Sequence, residues 1–359
     1  TLSLGVGTGS SFTSSDISSV GTNATFDAGA KLALNTGSAT GGIATLSDLS
    51  TGATNLQKTG TGTLYINGTS TGTGTMGVAT GTLTNAAKVS VADGATLSVG
   101  VGGSSSFSSS DITTVSQNAT FANGSRFGLD TTGATGGVAT INDLNFGSTG
   151  FTKTGTGSLT LTGTTTLTGS TTLAGGSLII GSDALLGAAP GTATAGHLTL
   201  DGGTLNTTAT FSLDGNRGVA FGTSGGTIET ADATTLTIAG APTGSGTLTK
   251  TGVGTLTLNT GSAATGAITV STGTLNIGNG STASLSTTGI TNNAALVFNH
   301  SSDLTLSGTI DGSGSFTKTG SGSLTITTLN STGAIAVTSG NLINNTSIGD
   351  RVATITGSD

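Results

Sequence analysis

Four lysines of this chain stand in almost the same phrase, which makes them the first candidates for a repeated chemical site. The phrases are LQKTGTGTLYI from Leu56, FTKTGTGSLTL from Phe151, LTKTGVGTLTL from Leu248 and FTKTGSGSLTI from Phe316. A primary amine repeated four times would suit a ligand site, whereas the glycines at alternate positions would suit a unit of architecture. Glycine permits tight bends in which a Cβ would obstruct a positive φ.

We interpret the phrase as a corner between two strands of a repeated structural unit rather than as a ligand site. At such a corner we expect the lysine to keep its charge in water and to lay its aliphatic stem over the turn. The residues assigned to these structural turns are Lys58, Gly60, Gly62, Lys153, Gly155, Gly157, Lys250, Gly252, Gly254, Lys318, Gly320 and Gly322.

The other ionisable residues form no recognised catalytic or metal-binding pattern. His197 and His300 carry no signature of a catalytic triad or a two-His metal site, so we expect both on the surface or in turns. The acidic residues are nearly all Asp, scattered singly in turn contexts such as SSDI at Asp16 and Asp111. The chain has no cysteine and no calcium-binding nonapeptide array. We therefore expect no enzyme activity, no cofactor and no metal.

Composition and patterning predict an all-β chain. Of 359 residues, 64 are Gly and only 7% are charged, and apolar residues alternate with Thr and Ser, as in SLTLTGTTTLTG from Ser158. Alternation of period two places apolar side chains on one face of a strand. No apolar run is long enough to span a membrane. The net charge of −7, with no Lys/Arg cluster, argues against partners such as nucleic acid.

The N-terminal part of the chain is a tandem duplication. TLSLGVGTGSSFTSSDISSV from Thr1 matches TLSVGVGGSSSFSSSDITTV from Thr96 without a gap, and Lys58 falls on Lys153. We therefore divide the chain into a repeat block at 1–95, its duplicate at 96–190, and further coils at 191–359 that continue the preceding blocks. The later lysine phrases recur at other spacings, which a solenoid tolerates because each coil contacts mainly its neighbours.

Two stretches of the later part resemble a known family of repeats. GTLTKTGVGTLTLNTGSAATGAITVSTGTLNIGN from Gly246 is similar to the autotransporter passenger-associated β-strand repeat, as is the stretch from Ala294 that contains FTKTGSGSLTI. The resemblance implies a right-handed parallel β-helix on a bacterial surface. The alternative fold is a string of Ig-like sandwiches, against which the uneven spacing of the lysine phrases speaks.

The resemblance and the composition together favour an extracellular structural protein over an enzyme. Enzymes that cleave polysaccharides occur on parallel β-helices, but they need clustered carboxylates and aromatic platforms, and this chain has no Trp and one Tyr. The chain starts at Thr1 without a leader, so we expect a secreted form from which a signal has been removed.

We expect the subunit to assemble end to end with copies of itself into a surface filament or matrix. The candidate contact residues are Leu2, Leu4 and Val6 at one end and Val352 and Ile355 at the other. The alternative is a monomeric, adhesin-type autotransporter passenger that binds host or cell-surface ligands and whose membrane anchor is absent from this chain. In neither case do we expect this chain itself to insert into a membrane.

Overall fold

The computed structural model forms two compact units, residues 1–171 and 172–359. The described residues are 2–6, 12–24, 31–36, 43–46, 49–50, 55–59, 63–66, 70–71, 76–78, 83–84, 90–91, 93–94, 96–102, 107–134, 137–264, 266–344 and 353–355.

The first unit is built from short strands in which apolar residues alternate with Thr, Ser and Gly. The strands up to residue 161 are β1 (Leu2–Gly5), β2 (Lys31–Asn35), β3 (Ile43–Leu46), β4 (Leu49–Ser50), β5 (Asn55–Thr59), β6 (Thr63–Ile66), β7 (Ser70–Thr71), β8 (Met76–Val78), β9 (Leu83–Thr84), β10 (Ser90–Val91), β11 (Thr96–Gly100), β12 (Thr120–Phe121), β13 (Arg126–Asp130), β14 (Val138–Ile141), β15 (Gly150–Thr154) and β16 (Ser158–Leu161). Its longest sheet runs in the order β1-β2-β5-β8-β11-β13-β15, and each of these pairs is parallel.

Among the described residues of the first unit are two α-helices, α1 (Ser14–Asn23) and α2 (Ser109–Asn118), so the fold is nearly all-β rather than purely β. Our interpretation of Asp16 and Asp111 as turn residues was wrong, because each is the third residue of a helix and completes its capping box. The Thr13 and Ser108 side chains accept from the backbone N–H of these aspartates, which in turn accept from the cap backbone at 2.8 and 2.9 Å.

The elements of the first unit repeat with the offset of the sequence duplication. The bounds of α1 and α2 differ by 95 residues at both ends, and so do those of β3 and β14, and of β5 and β15. The duplication is therefore a duplication of structure. The division into continuous blocks at 1–95, 96–190 and 191–359 stays a prediction.

The second unit continues the same strand pattern with one short 3-10 helix at Asp183–Leu186. From Thr171 onward the strands are β17 (Thr171–Leu173), β18 (Ser177–Ile180), β19 (Thr194–Leu200), β20 (Thr204–Thr207), β21 (Phe211–Leu213), β22 (Arg217–Phe221), β23 (Gly226–Thr230), β24 (Thr235–Ile238), β25 (Thr243–Gly244), β26 (Leu248–Thr251), β27 (Thr255–Leu258), β28 (Gly261–Ser262), β29 (Ile268–Val270), β30 (Thr274–Ile277), β31 (Ser284–Leu285), β32 (Gly289–Asn292), β33 (Ala295–Asn299), β34 (Leu304–Asp311), β35 (Ser315–Thr319), β36 (Ser323–Leu329), β37 (Ile335–Val337), β38 (Asn341–Asn344) and β39 (Ala353–Ile355).

Its two main sheets pair every strand with the equivalent strand of the next coil. One follows β18-β20-β23-β26-β29-β32-β34-β36-β38 and the other β21-β24-β27-β30-β33-β35-β37-β39. The parallel register stacks like on like in the core, and one buried column of the second sheet consists of Leu236, Leu256, Leu275, Leu296, Phe316 and Ile335.

The predicted parallel β-solenoid is confirmed, and the Ig-like alternative is wrong because sandwiches of that kind are built from antiparallel strands. The right hand of the coil stays a prediction.

We expect the capping box of α2 to hold the helix start in place. Ser108→Ala removes the side-chain oxygen that accepts from Asp111 N–H, so the first turn should lose about 1 kcal/mol of local stability. The measurement is hydrogen exchange of the amides in 109–115. Gln117→Ala, at an exposed position in the last turn, serves as the control and should leave those rates unchanged. Equal rates in both variants would show that the cap contributes nothing.

Candidate functional site

The lysines of the repeated phrase occupy inward-facing positions of the core. In register, Lys250 lies between Ile228 and Val270 of the neighbouring coils, and Lys318 lies between Phe298 and Val337. Lys153, Lys250 and Lys318 are each 0% exposed. The expectation that the charge stays in water was therefore wrong. The physical reason is the alternation of side chains along a strand. Each lysine stands two residues after an apolar core residue, so its side chain also points into the core.

The ammonium groups of the second unit bind the main chain of two successive coils. Lys250 Nζ donates to the carbonyl oxygens of Thr251 at 2.6 Å, Gly252 at 2.8 Å and Thr272 at 3.3 Å. Lys318 repeats this with Thr319 and Gly320 of its own corner and with Ser339 of the next coil. Each lysine is therefore a cross-brace that joins a corner to the following coil.

In the first unit, Lys153 makes the same kind of brace, but toward the preceding coil. Lys153 Nζ lies 2.9 Å from Thr131 Oγ1, 2.9 Å from the Thr154 carbonyl and 3.0 Å from the Gly155 carbonyl. The Thr131 hydroxyl in turn donates to the Gly157 carbonyl at 2.8 Å. In register, Lys58 lies between Leu34 and Val78, and its side chain is outside the described residues.

The first glycine of each phrase has a backbone that other residues rarely adopt. Gly155, Gly252 and Gly320 have φ of +78°, +71° and +78°.

The second glycines, Gly157, Gly254 and Gly322, are required by space. A Cβ at Gly254 would overlap the Ala231 carbonyl oxygen, and one at Gly322 would overlap that of Ser302. Both glycines of the first phrase, Gly60 and Gly62, lie outside the described residues. In its described copies the phrase therefore contains one glycine with a left-handed backbone, one glycine packed closely against neighbouring main chain, and one buried lysine.

Burial sets the electrostatics of these corners. It lowers the pKa of Lys153 and of Lys250 to about 8, while the nearby carboxylates of Asp130 and Glu229 act in the opposite direction. Burial also lowers the pKa of Lys318. At neutral pH the ammonium form of Lys153 and Lys250 still predominates, so all the N–H groups needed for the braces are present.

A second buried cluster surrounds Arg217, and the sequence analysis missed it. Arg217 Nε lies 2.8 Å from Asp183 Oδ1, Nη2 lies 2.6 Å from the Gly187 carbonyl, and Nη1 reaches the Leu186 carbonyl at 3.2 Å and His197 Nδ1 at 3.3 Å. The guanidinium thereby closes the end of the short 3-10 helix. The sequence signal was again the spacing along the strand, since Arg217 shares the buried face of Val219 and Phe221.

Both histidines are buried; His197 lies within a strand, which corrects the prediction of a surface or turn position, whereas His300 does lie at a turn. His197 is 5% exposed and His300 is 0% exposed. His197 is a core residue because it lies in β19 against the Arg217 guanidinium, and His300 is one because it follows β33 at a corner that the Lys318 brace closes.

Several aspartates join one coil to the next. The carboxylates of Asp143, Asp201 and Asp303 accept the backbone N–H groups of Thr164, Ser224 and Ser323 at 2.8, 2.8 and 2.9 Å. The hydrogen bond from the Ser224 backbone lowers the pKa of Asp201, and that from Ser323 lowers the pKa of Asp303. These residues are turn aspartates, as the sequence suggested, and in addition they bind across coils.

The proposed assembly residues fall into different environments. Leu2 is 45% exposed, whereas Leu4 and Val6 are buried in the core. Ile355 pairs with Val337 in register, but its side chain lies outside the described residues, as does all of Val352. Of the candidates whose side chains are described, Leu2 alone is open to a partner.

The described part of the chain holds no group of three or more His, Cys, Asp or Glu side chains that could bind a metal ion. Within the same residues, no helix has the length and apolar character needed to cross a membrane.

A family model described as passenger-associated-transport-repeat matches residues 151–180 and 248–277. Both matches begin in a lysine strand and include the corner that follows it. No curated protein and no solved structure was found that matches the chain. The repeats and the β-solenoid fold fit an autotransporter passenger-like protein.

We expect Lys250→Met to destabilise the second unit, because three main-chain carbonyl oxygens lose their donor. The free energy of unfolding should fall by about 2–3 kcal/mol, as measured by urea denaturation. Lys31→Met is the matched control, since Lys31 is exposed, and it should change stability little. A Lys250→Met protein as stable as the parent would contradict the brace.

We expect Gly155→Ala to destabilise the first unit while Gly133→Ala does not. The alanine at position 155 would be held at φ +78° with its Cβ 2.7 Å from the Thr131 nitrogen, whereas a Cβ at position 133 meets nothing within 4 Å. The left-handed backbone alone should cost about 1–2 kcal/mol. Thermal denaturation of the two variants checks this, and equal midpoints would show that the corner tolerates a side chain.

Proposed function

We propose that this chain, which carries two passenger-associated transport repeats, is an extracellular structural protein that assembles end to end. The observation that carries the structural role is the use of its buried cations. Lys250 and Lys318 each donate three hydrogen bonds to main-chain carbonyls of two coils. A buried ammonium that is fully engaged in this way is available neither as a nucleophile nor for proton transfer. These contacts support a structural role in which the lysines hold coils together.

A surface or secreted location agrees with the repeats and with the composition. The passenger repeat is the family of the two matched stretches. A chain with 7% charged residues and abundant Thr and Ser presents a hydroxyl-rich surface. The proposed partner is a second copy of this chain.

Strand β1 offers the edge for such a contact. Within the described residues β1 pairs with β2 and with no further strand. An edge strand presents unpaired N–H and C=O groups to which a strand of another chain can add. Val6 N–H donates to the Asn35 carbonyl of β2 at 3.0 Å, so by alternation along the strand the N–H of Ser3 points away from β2.

A monomeric passenger that displays an adhesive face is the second candidate. It is favoured by a file of outward hydroxyls in parallel register on the second unit. The file consists of Thr204, Thr227, Thr249, Thr269 and Thr291. Spaced by the distance between strands, about 4.8 Å, such a file is a regular surface for a polar ligand.

Electron microscopy and light scattering of the purified chain over a concentration series test the assembly. We expect the mean mass to rise with concentration and filaments to form. Ser3→Pro should abolish this growth without unfolding, because it removes an N–H that faces away from β2. Leu2→Lys should weaken assembly by placing a charge at the contact, and Ser3→Ala, which keeps the N–H, should assemble like the parent.

Monomers at every concentration would overturn end-to-end assembly and leave the monomeric passenger. Unchanged filaments in Ser3→Pro would show that assembly uses a different surface.

A further inference from the structure

The chain has 2 histidines, and the second unit places each of them against a buried cation. His197 lies beside Arg217, and His300 lies at the corner that Lys318 closes. Both histidines and both cations have 5% exposure or less. No other part of the sequence contains a histidine, so the first unit has none.

The contact at His197 requires a neutral imidazole. Arg217 Nη1 lies 3.3 Å from His197 Nδ1, and a guanidinium can only donate, so Nδ1 must accept. The remaining bonds of Arg217 go to the Asp183 carboxylate and to the carbonyls of Leu186 and Gly187. Asp183 is the carboxylate that faces this cluster, and it is already engaged by Arg217.

The contact at His300 is equally unfavourable to a second charge. Register pairs Asn299 with Thr319, which puts His300 beside Gly320, whose carbonyl accepts from Lys318. The equivalent residues at the Lys153 and Lys250 corners are Thr131 and Thr230, which carry no charge.

The two ring nitrogens of His300 have different surroundings. Nδ1 faces the carbonyl oxygen of Ser302, so it carries the proton, while the buried Nε2 has no hydrogen-bond partner among the described residues. A proton added at Nε2 would therefore gain no acceptor there. The charged groups that act on this imidazole are Lys318 and Asp303, and the Asp303 carboxylate already accepts from Ser323 N–H.

We propose that these two histidine–cation pairs make the second unit an acid-sensitive element, whose coils around His197 and His300 open when the imidazoles take up protons. Protonated His197 would lose its bond from Arg217 and place two cations in contact. Protonated His300 would place a second positive charge in the corner of Lys318 with no acceptor for the new N–H. A second positive charge beside Arg217 or Lys318 destabilises the folded coil.

The direction of the effect follows from proton linkage. Burial lowers the pKa of His300 below its usual 6.5, the Lys318 charge lowers it further, and the Ser302 hydrogen bond and Asp303 oppose this. The unfolded chain therefore binds this proton more readily than the folded unit. The stability contributed by His300 is complete above pH 6.5 and is lost as the pH falls below that value. The pKa of Asp201 is lowered from 3.8, so this carboxylate titrates below that window.

Hydrogen exchange of the full chain, measured by mass spectrometry at about pH 7.5 and about pH 5 and corrected for the intrinsic rate, tests the proposal. We expect protection in 295–329 to fall by up to about 30-fold, and protection in 194–221 to fall as well. Protection in 126–161, within the unit that lacks histidine, should not change and serves as the internal control.

Neutral replacements assign the effect. His300→Thr installs the residue type of the other corners and should abolish the acid-dependent loss in 295–329 while leaving that in 194–221. His197→Gln, which keeps an acceptor for Arg217, should do the reverse, and His300→Gln replaces His300→Thr if that variant does not fold.

An equal loss of protection in both units, a loss that survives in the double variant, or no loss at all would overturn the proposal. Because assembly is read separately from the mass of the particles at neutral pH, the acid response can fail or succeed independently of the proposed function.

Discussion

Each coil of this fold has to turn, and at a turn the main-chain carbonyl oxygens lose the neighbouring strand that would have donated to them. Beside the buried Lys250 and Lys318 side chains, a carbonyl left without a donor would destabilise the coil. Lysine meets this constraint with three N–H groups on one flexible stem, and at Lys250 and Lys318 these bind two corners at once. The repeated phrase is thus a device for turning the chain.

The rest of the architecture depends on the same constraint. A lysine can bind the next coil only where the strands stay in register, and glycines bring the corners close enough for the bond to form. Aspartates such as Asp201 and Asp303 also join successive coils, but from the outer side. Each accepts a backbone N–H of the following coil. Stacking in the core and hydrogen bonding at the corners therefore support each other.

The sequence predicted the strands, the duplication and the coiled architecture, because alternation and repeat spacing report these features directly. It did not reveal α1 and α2, since their ten residues are rich in Ser and Thr and their capping box uses Asp. The burial of Lys153 and Arg217 was visible in strand phase, but a charged residue is rarely expected inside. What completes their hydrogen bonds comes from other coils, which spacing along the chain does not show.

The buried lysines also affect cleavage of the chain by proteases that cut after basic residues. The chain has 9 Lys and Arg in all, and Lys153, Lys250, Lys318 and Arg217 among them are buried. A trypsin-like protease must bind such a side chain in its specificity pocket, which requires a local opening of the coil first. The bonds that hold the corners together thus also keep these four side chains from a protease while the coils stay closed.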